Sequence, residues 1–213
     1  MSISAEEALE KLAKGNLEYH YSSSITSDVS KEMMSSVRQG QDPFAVVIAC
    51  SDSRVVPEKI FNAEIGDIFV IQGAGNLVCD VALGSVEYAI TNLGTKLVVV
   101  LGHSGCGAIR AALETEGPGR DTITRTVKAA IGGETDRERA TKLNMIAGFR
   151  NVMSNETFRR MAAEEGVGVV CGYYKVSLGL VDFLSKRSMM RYDPGLDLSA
   201  YVELSGGEIP TNI

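Results

Sequence analysis

Four cysteines and two histidines are the only thiols and imidazoles in this 213-residue chain. Three of the six stand in two short strings, Ala49-Cys50-Ser51-Asp52-Ser53-Arg54 and Gly102-His103-Ser104-Gly105-Cys106-Gly107. Two thiolates and an imidazole form a donor set that selects zinc over magnesium or calcium. With the fourth position open to water or substrate such a site is catalytic; with a fourth protein ligand it is structural. His103 and Cys106 are near neighbours, whereas Cys50 is far away in sequence, so only a fold could assemble the set. The competing reading makes Cys50 and Cys106 small buried apolar residues and His103 a core histidine. Glycines at 102, 105 and 107 weigh against it, because a plain core strand needs no such close backbone approach. Asp52 and Arg54, two apart, offer a bidentate guanidinium–carboxylate pair that would keep Asp52 ionised and aimed. In a random loop the same spacing is an ordinary ion pair; here it directly follows a candidate ligand. His20 reads as a surface or packing residue, with a proton-shuttle role as the lesser alternative, and Cys79 and Cys171 read as structural thiols.

These strings sit where elements end. The runs 44–49, 68–71, 97–101 and 167–170 are short, continuous and rich in β-branched residues, as strands buried on both faces are. Between them lie helical patterns. Ser4-Ala5-Glu6-Glu7 has the spacing of a capping box, with Leu9, Leu12, Ala13 and Leu17 on one face of the helix it starts. Met33, Met34 and Val37 suggest a second helix over 29–38. Ala82, Val86, Ala89, Ile90 and Leu93 have helical spacing before Gly94. Residues 115–165 read as helical, interrupted by Gly117-Pro118-Gly119 and Gly132-Gly133, and the last strand leads into a hairpin-like segment, 173–184. The expected fold is therefore α/β: a central, mostly parallel sheet of four strands plus a short antiparallel edge strand, flanked by helices, with an N-terminal helical extension. The whole chain, 1–213, reads as one domain, comprising a helical arm (1–40), an α/β core (41–185) and a C-terminal tail (186–213). In such sheets ligands bind at the carboxyl ends of strands, which is where both strings fall.

Composition closes other routes. The net charge of -6 comes without lysine or arginine blocks, so neither nucleic acid nor a membrane surface has electrostatic support as a partner. No apolar run approaches the roughly 20 residues that span a bilayer. The N-terminus lacks the basic and apolar regions of a signal peptide, which points to the cytoplasm and to free thiols. Gly73-Ala74-Gly75-Asn76-Leu77-Val78 has Val78 where a dinucleotide fingerprint needs its third glycine, and reads as a tight turn into a helix.

The two strings together resemble the paired signatures of the β-class carbonic anhydrases. Gly66-Asp67-Ile68-Phe69-Val70, Ala74-Gly75-Asn76 and Ser85-Val86-Glu87-Tyr88-Ala89 are also similar to that family, over roughly residues 5 to 185. The resemblance implies one zinc ion per subunit, held by Cys50, His103 and Cys106, and reversible hydration of carbon dioxide to bicarbonate and a proton by attack of zinc-bound hydroxide. Asp52 would either pair with Arg54 or swing onto the metal as a fourth ligand in a closed state. Gln41, Phe69 and Tyr88 match the substrate-contacting residues of the accessible-zinc, plant-like subtype; Val47 stands where the other subtype has tryptophan. Because such residues lie near a subunit interface, the resemblance implies a homodimer, with a tetramer also open, and an N-terminal helix that embraces the second subunit. One departure is Gln72-Gly73, where the family often has Arg-Asn, which leaves no arginine there for a non-catalytic bicarbonate site. Two other readings keep the same centre: hydrolysis of carbonyl sulfide or carbon disulfide, and a non-catalytic zinc scaffold or bicarbonate sensor.

Overall fold

The run Ala45-Val46-Val47-Ile48-Ala49-Cys50 has no charged or amide side chain on either side of its pleat, so it belongs in a sheet covered on both faces. In the computed structural model, which describes residues 3–21, 35, 37–38 and 40–204, it forms β1 (Ala45–Cys50), buried throughout. β2 (Ile68–Gly73) pairs parallel with one side of β1, Ala49 opposite Gln72. β3 (Leu97–His103), also buried end to end, pairs parallel with the other side, Ala49 opposite Leu101. β4 (Gly168–Lys175) continues the parallel set, His103 opposite Tyr174, and β5 (Leu180–Phe183) returns antiparallel on β4. The order is β2-β1-β3-β4-β5. This is the expected four parallel strands with an antiparallel edge. The strands run further toward their carboxyl ends than the apolar runs do: Cys50 and His103 close β1 and β3 as strand residues, where the apolar runs left them just outside.

Helices cover both faces. α1 (Ala5–Tyr21) begins at the expected capping box, with Ser4 N–H donating to Glu7 Oε2 at 2.8 Å and Glu7 N–H to Ser4 Oγ at 3.2 Å. A short helix α2 (Pro57–Ile60) follows the loop after β1, and α3 (Asp80–Asn92) joins β2 to β3. The stretch between β3 and β4 holds α4 (Gly107–Glu114), α5 (Thr122–Ile131), α6 (Arg137–Ser154) and α7 (Glu156–Glu165), broken at the two glycine-rich points read from the sequence. α8 (Lys186–Tyr192) follows β5. The helix expected over 29–38 lies largely outside the described residues.

Alternation along β3 turns Val100 and Gly102 to one face and Leu101 and His103 to the other. On the first face α6 lies close: a Cβ at Gly148 would stand 3.1 Å from Val100 Cγ1, and one at Gly102 would stand 2.5 Å from Met145 Sδ. Gly102 is thus explained by the packing of Met145, and a Cβ at Gly107 would meet only open space. Of the glycines around His103, Gly102 clears room for α6, whereas Gly105 is there for its backbone, at φ +69°.

On the other face α1 docks on the chain's own sheet. Leu9 and Leu12 are fully buried. Asn16, also fully buried, donates to the carbonyls of Ile60 (3.0 Å) and Gly179 (2.9 Å) and accepts from the Val181 amide (2.8 Å). One side chain thus ties α1, α2 and β5 together. Asn16→Ala strands two carbonyls and an amide in the interior, so it should lower unfolding free energy by about 3 kcal/mol; urea denaturation of the full chain measures it.

Candidate metal centre

Strand order dictates where the site falls. From β1 the chain crosses to β2 on one side and later to β3 on the other, so the gap between the carboxyl ends of β1 and β3 is a topological switch point, the crevice where open α/β sheets bind ligands. Cys50 ends β1 and His103 ends β3. Cys106 is the N-cap residue of α4, three residues further on. The ligand atoms of all three lie within 4.8 Å of one another, the residues are buried, and they are a group that could hold a metal ion.

The sulfurs of Cys50 and Cys106 are 3.9 Å apart. The Cys106 thiol, followed by His103 and the Gly75 and Asp52 amides, pulls the Cys50 thiol down to about 4 against the opposing effect of burial. Cys106 is pushed up instead, by sharing with Cys50 and by burial, although the Ile109 and Ala108 amides of α4 act the other way. Two thiols this close in a buried site favour a cation between them, because the thiolate is the ligating form. Gly75, at φ +72° in the turn Ala74–Asn76 after β2, donates its N–H to Cys50 Sγ at 3.3 Å. That turn is held in turn by Asn144 of α6, whose Nδ2 donates to the Gly75 carbonyl at 2.8 Å.

His103 is fully buried. Its Nδ1 lies 3.1 Å from the Ser104 carbonyl, a bond that requires Nδ1–H and leaves a lone pair on Nε2. Nε2 has no hydrogen-bond partner among the described residues. A buried, unpartnered ring nitrogen facing two thiols is costly unless something fills the space between them. Ser104 is itself fixed to β4: its N–H donates to the Tyr174 carbonyl (2.9 Å) and its hydroxyl accepts from Val176 N–H (3.0 Å).

Asp52 and Arg54 form the bidentate pair read from the sequence, Nε to Oδ1 at 2.9 Å and Nη2 to Oδ2 at 2.7 Å, with Arg54 N–H also on Oδ1 at 3.1 Å. Arg54 Nη2 reaches further to the Gly105 carbonyl at 3.1 Å, tying the β1 loop to the β3 loop. Asp52 Oδ2 is 4.0 Å from His103 Nε2. The Arg54 guanidinium, the largest influence, holds the Asp52 carboxyl well below the usual carboxylate range. Gln41 is exposed ahead of β1. Phe69 and Tyr88 face each other at 6.2 Å between ring centres. No hydrogen bond joins Gln41, Phe69 or Tyr88 to the three ligand residues among the described residues. Sequence reading missed the outer contacts: the Gly75 amide on Cys50, the Ser104 anchor, and Gln72, whose Nε2 donates to the carbonyls of Cys50 and Val55. Each depends on strand register or on a turn's path, which residue types alone do not disclose.

Fold and site together define an open α/β protein with a thiolate–imidazole metal centre at its switch point. The profile of the carbonic anhydrase family matches residues 45–181. The carbonic anhydrase of Pseudomonas aeruginosa is 46% identical over 177 residues, 74% of this chain and 80% of that protein. Carbonic anhydrase 2 of Mycobacterium tuberculosis is 43% identical over 104 residues, 46% of this chain, and the match spans only 50% of that relative's length. A tetrameric beta-carbonic anhydrase of Sordaria macrospora superposes with a TM-score of 0.64 at 32% identity, covering 71% of this chain and 85% of that one. The chain belongs to the β-class carbonic anhydrase family.

Because the folded-state pKa of Asp52 is depressed, the stability it adds through Arg54 is complete above the ordinary carboxylate pKa of about 4 and fades as pH falls below it. Arg54→Ala should therefore cost no more than about 1 kcal/mol at neutral pH, the pair being partly solvated. The difference from wild type should shrink at pH values under about 4; urea midpoints measured at several pH values check both.

Proposed function

We propose that this protein hydrates carbon dioxide reversibly to bicarbonate and a proton, using one zinc ion per chain held by Cys50, His103 and Cys106. The observation that carries this reading is the three-atom cluster with its unpartnered His103 Nε2. Tetrahedral zinc with bonds to sulfur of about 2.3 Å sets two sulfurs about 3.8 Å apart, and the separation here is 3.9 Å. Zinc, when bound, lowers the pKa of water from about 15.7 to about 7 and so supplies a nucleophile near neutral pH.

The chain's own residues do the rest. Asp52, kept ionised by Arg54, is an acceptor that orients the attacking water toward the carbon of CO2. Its engagement with Arg54 favours the accessible form of the centre over a closed form with Asp52 as ligand. Gln41, Phe69 and Tyr88 form the substrate side of the pocket, and a second copy of the chain completes it. Support for that homodimer comes from the surface: Val81 is 80% and Tyr88 50% exposed on α3, beside Phe69 on β2, the edge strand whose outer side is unpaired among the described residues. Apolar exposure of this kind next to an open strand edge marks an interaction surface. No described helix is long and apolar enough to cross a membrane, and the free thiols suit a reducing, cytoplasmic setting.

Stopped-flow CO2 hydration with zinc analysis of the same preparation tests the assignment. Cys106→Ser should lose zinc and lower kcat/KM by more than about a hundredfold, whereas Arg54→Ala should keep zinc and lose about 10- to 100-fold. Full activity in a Cys106→Ser protein would exclude the assignment. Val81→Asp should shift sedimentation to a smaller species and reduce activity with it; an unchanged assembly would place the interface elsewhere.

A further inference from the structure

Gln72 lies on β2 opposite Ala49, one residue before the strand's end. Its single amide nitrogen donates to two carbonyls, Cys50 at 3.2 Å and Val55 at 3.1 Å. Those carbonyls bracket the segment 51–54 that carries Asp52 and Arg54. Both N–H groups of the primary amide are thus spent on opposite ends of one loop. The bonds between Asp52 and Arg54 fix the shape of that pair, not its place beside His103. Its place is set from one side by Arg54 on the Gly105 carbonyl, and from the other by the base of the loop.

We propose that Gln72 is a positioning residue: by drawing the Cys50 and Val55 carbonyls to one nitrogen it closes the loop and holds the Asp52–Arg54 pair against the metal centre. The inference rests on the reading of Asp52 and Arg54 as catalytic machinery. The physical requirement is for donors, not bulk. Two carbonyl dipoles pointing at one place repel each other, and only N–H groups between them reverse the sign. Gln72 is itself largely exposed, so its packing contributes little. A small displacement matters because catalytic orientation degrades steeply, on the order of a hundredfold for about 1 Å.

Three variants separate donor chemistry from volume. Gln72→Met keeps the length and has no donor. Gln72→Glu keeps the shape and turns an acceptor toward both carbonyls. Gln72→Arg supplies N–H groups in a fork. On the zinc-loaded full chain, three quantities are measured: zinc per chain, kcat/KM for CO2 hydration, and amide hydrogen exchange at Arg54 and Val55, whose N–H groups bond to Asp52. We expect zinc content unchanged in all three. Gln72→Met should lose about tenfold in kcat/KM, with Gln72→Glu lower still and Gln72→Arg within about threefold of wild type. Exchange at Arg54 and Val55 should rise about tenfold in the Met and Glu variants and stay near wild type in the Arg variant. Wild-type exchange and turnover in Gln72→Met, or an Arg variant as impaired as Met, overturns the proposal. If the wild-type chain fails to hydrate CO2, the functional reading falls, while the exchange data still decide whether Gln72 clamps the loop.

Discussion

Parallel pairing holds β1 and β3 roughly 4.8 Å apart along their whole length, and because both strands stop at the same edge of the sheet, whatever residues end them are neighbours by backbone geometry alone. Here those residues are Cys50 and His103. The pairing is strong because both strands are buried on both faces, where an unmade backbone hydrogen bond is expensive. Side chains refine the centre, but its location is already given by the ladder. Cys106 then needs only a short turn to arrive, and the turn is fastened on both sides, by Ser104 to β4 and by Arg54 to the Gly105 carbonyl.

The second organising feature is how the buried polar atoms are paid for. Cys50 receives an amide hydrogen bond from Gly75, His103 is oriented through Ser104, and Asp52 is saturated by Arg54. At the ligand cluster the His103 ring nitrogen is left without a partner among the described residues, beside two sulfurs 3.9 Å apart. The adjoining turn leaves buried atoms unpartnered as well, both amide atoms of Asn76 and Oδ1 of Asn144, but at the ligand cluster itself the deficit faces the space where an ion would sit. A centre arranged in this way has its ligands in place before binding, with little left to reorganise. Under the proposed function, metal affinity and the placing of Asp52 would then come from the same set of braces.

Much of this was legible in the residues. The four parallel strands and the interruptions of the long helical stretch announced themselves through apolar runs and glycine punctuation, although β2, read as buried on both faces, is a half-exposed edge strand. The bidentate Asp52–Arg54 pair followed from spacing of two in a tight loop. The glycines beside His103 were legible as close-approach positions but not in their cause: Gly102 accommodates Met145 of α6, a partner more than forty positions away that no local pattern names. The place of α1 was equally hidden, since its amphipathic face would suit its own sheet or another subunit's. Asn16, a polar residue on that face, settles the matter by bonding to Ile60, Gly179 and Val181.

By itself the sequence determined which atoms were available for chemistry, that the chain alternates strands and helices, and that both ligand strings fall at strand ends. These are local properties, carried by residue type and by periods of two and 3.6. Only the tertiary structure decided that β1 and β3 are adjacent, that Cys50 and Cys106 lie 3.9 Å apart, and that Gln72 spans the loop of Asp52. Such facts rest on strand order and register, which are set by the burial of the whole core and not by any one segment.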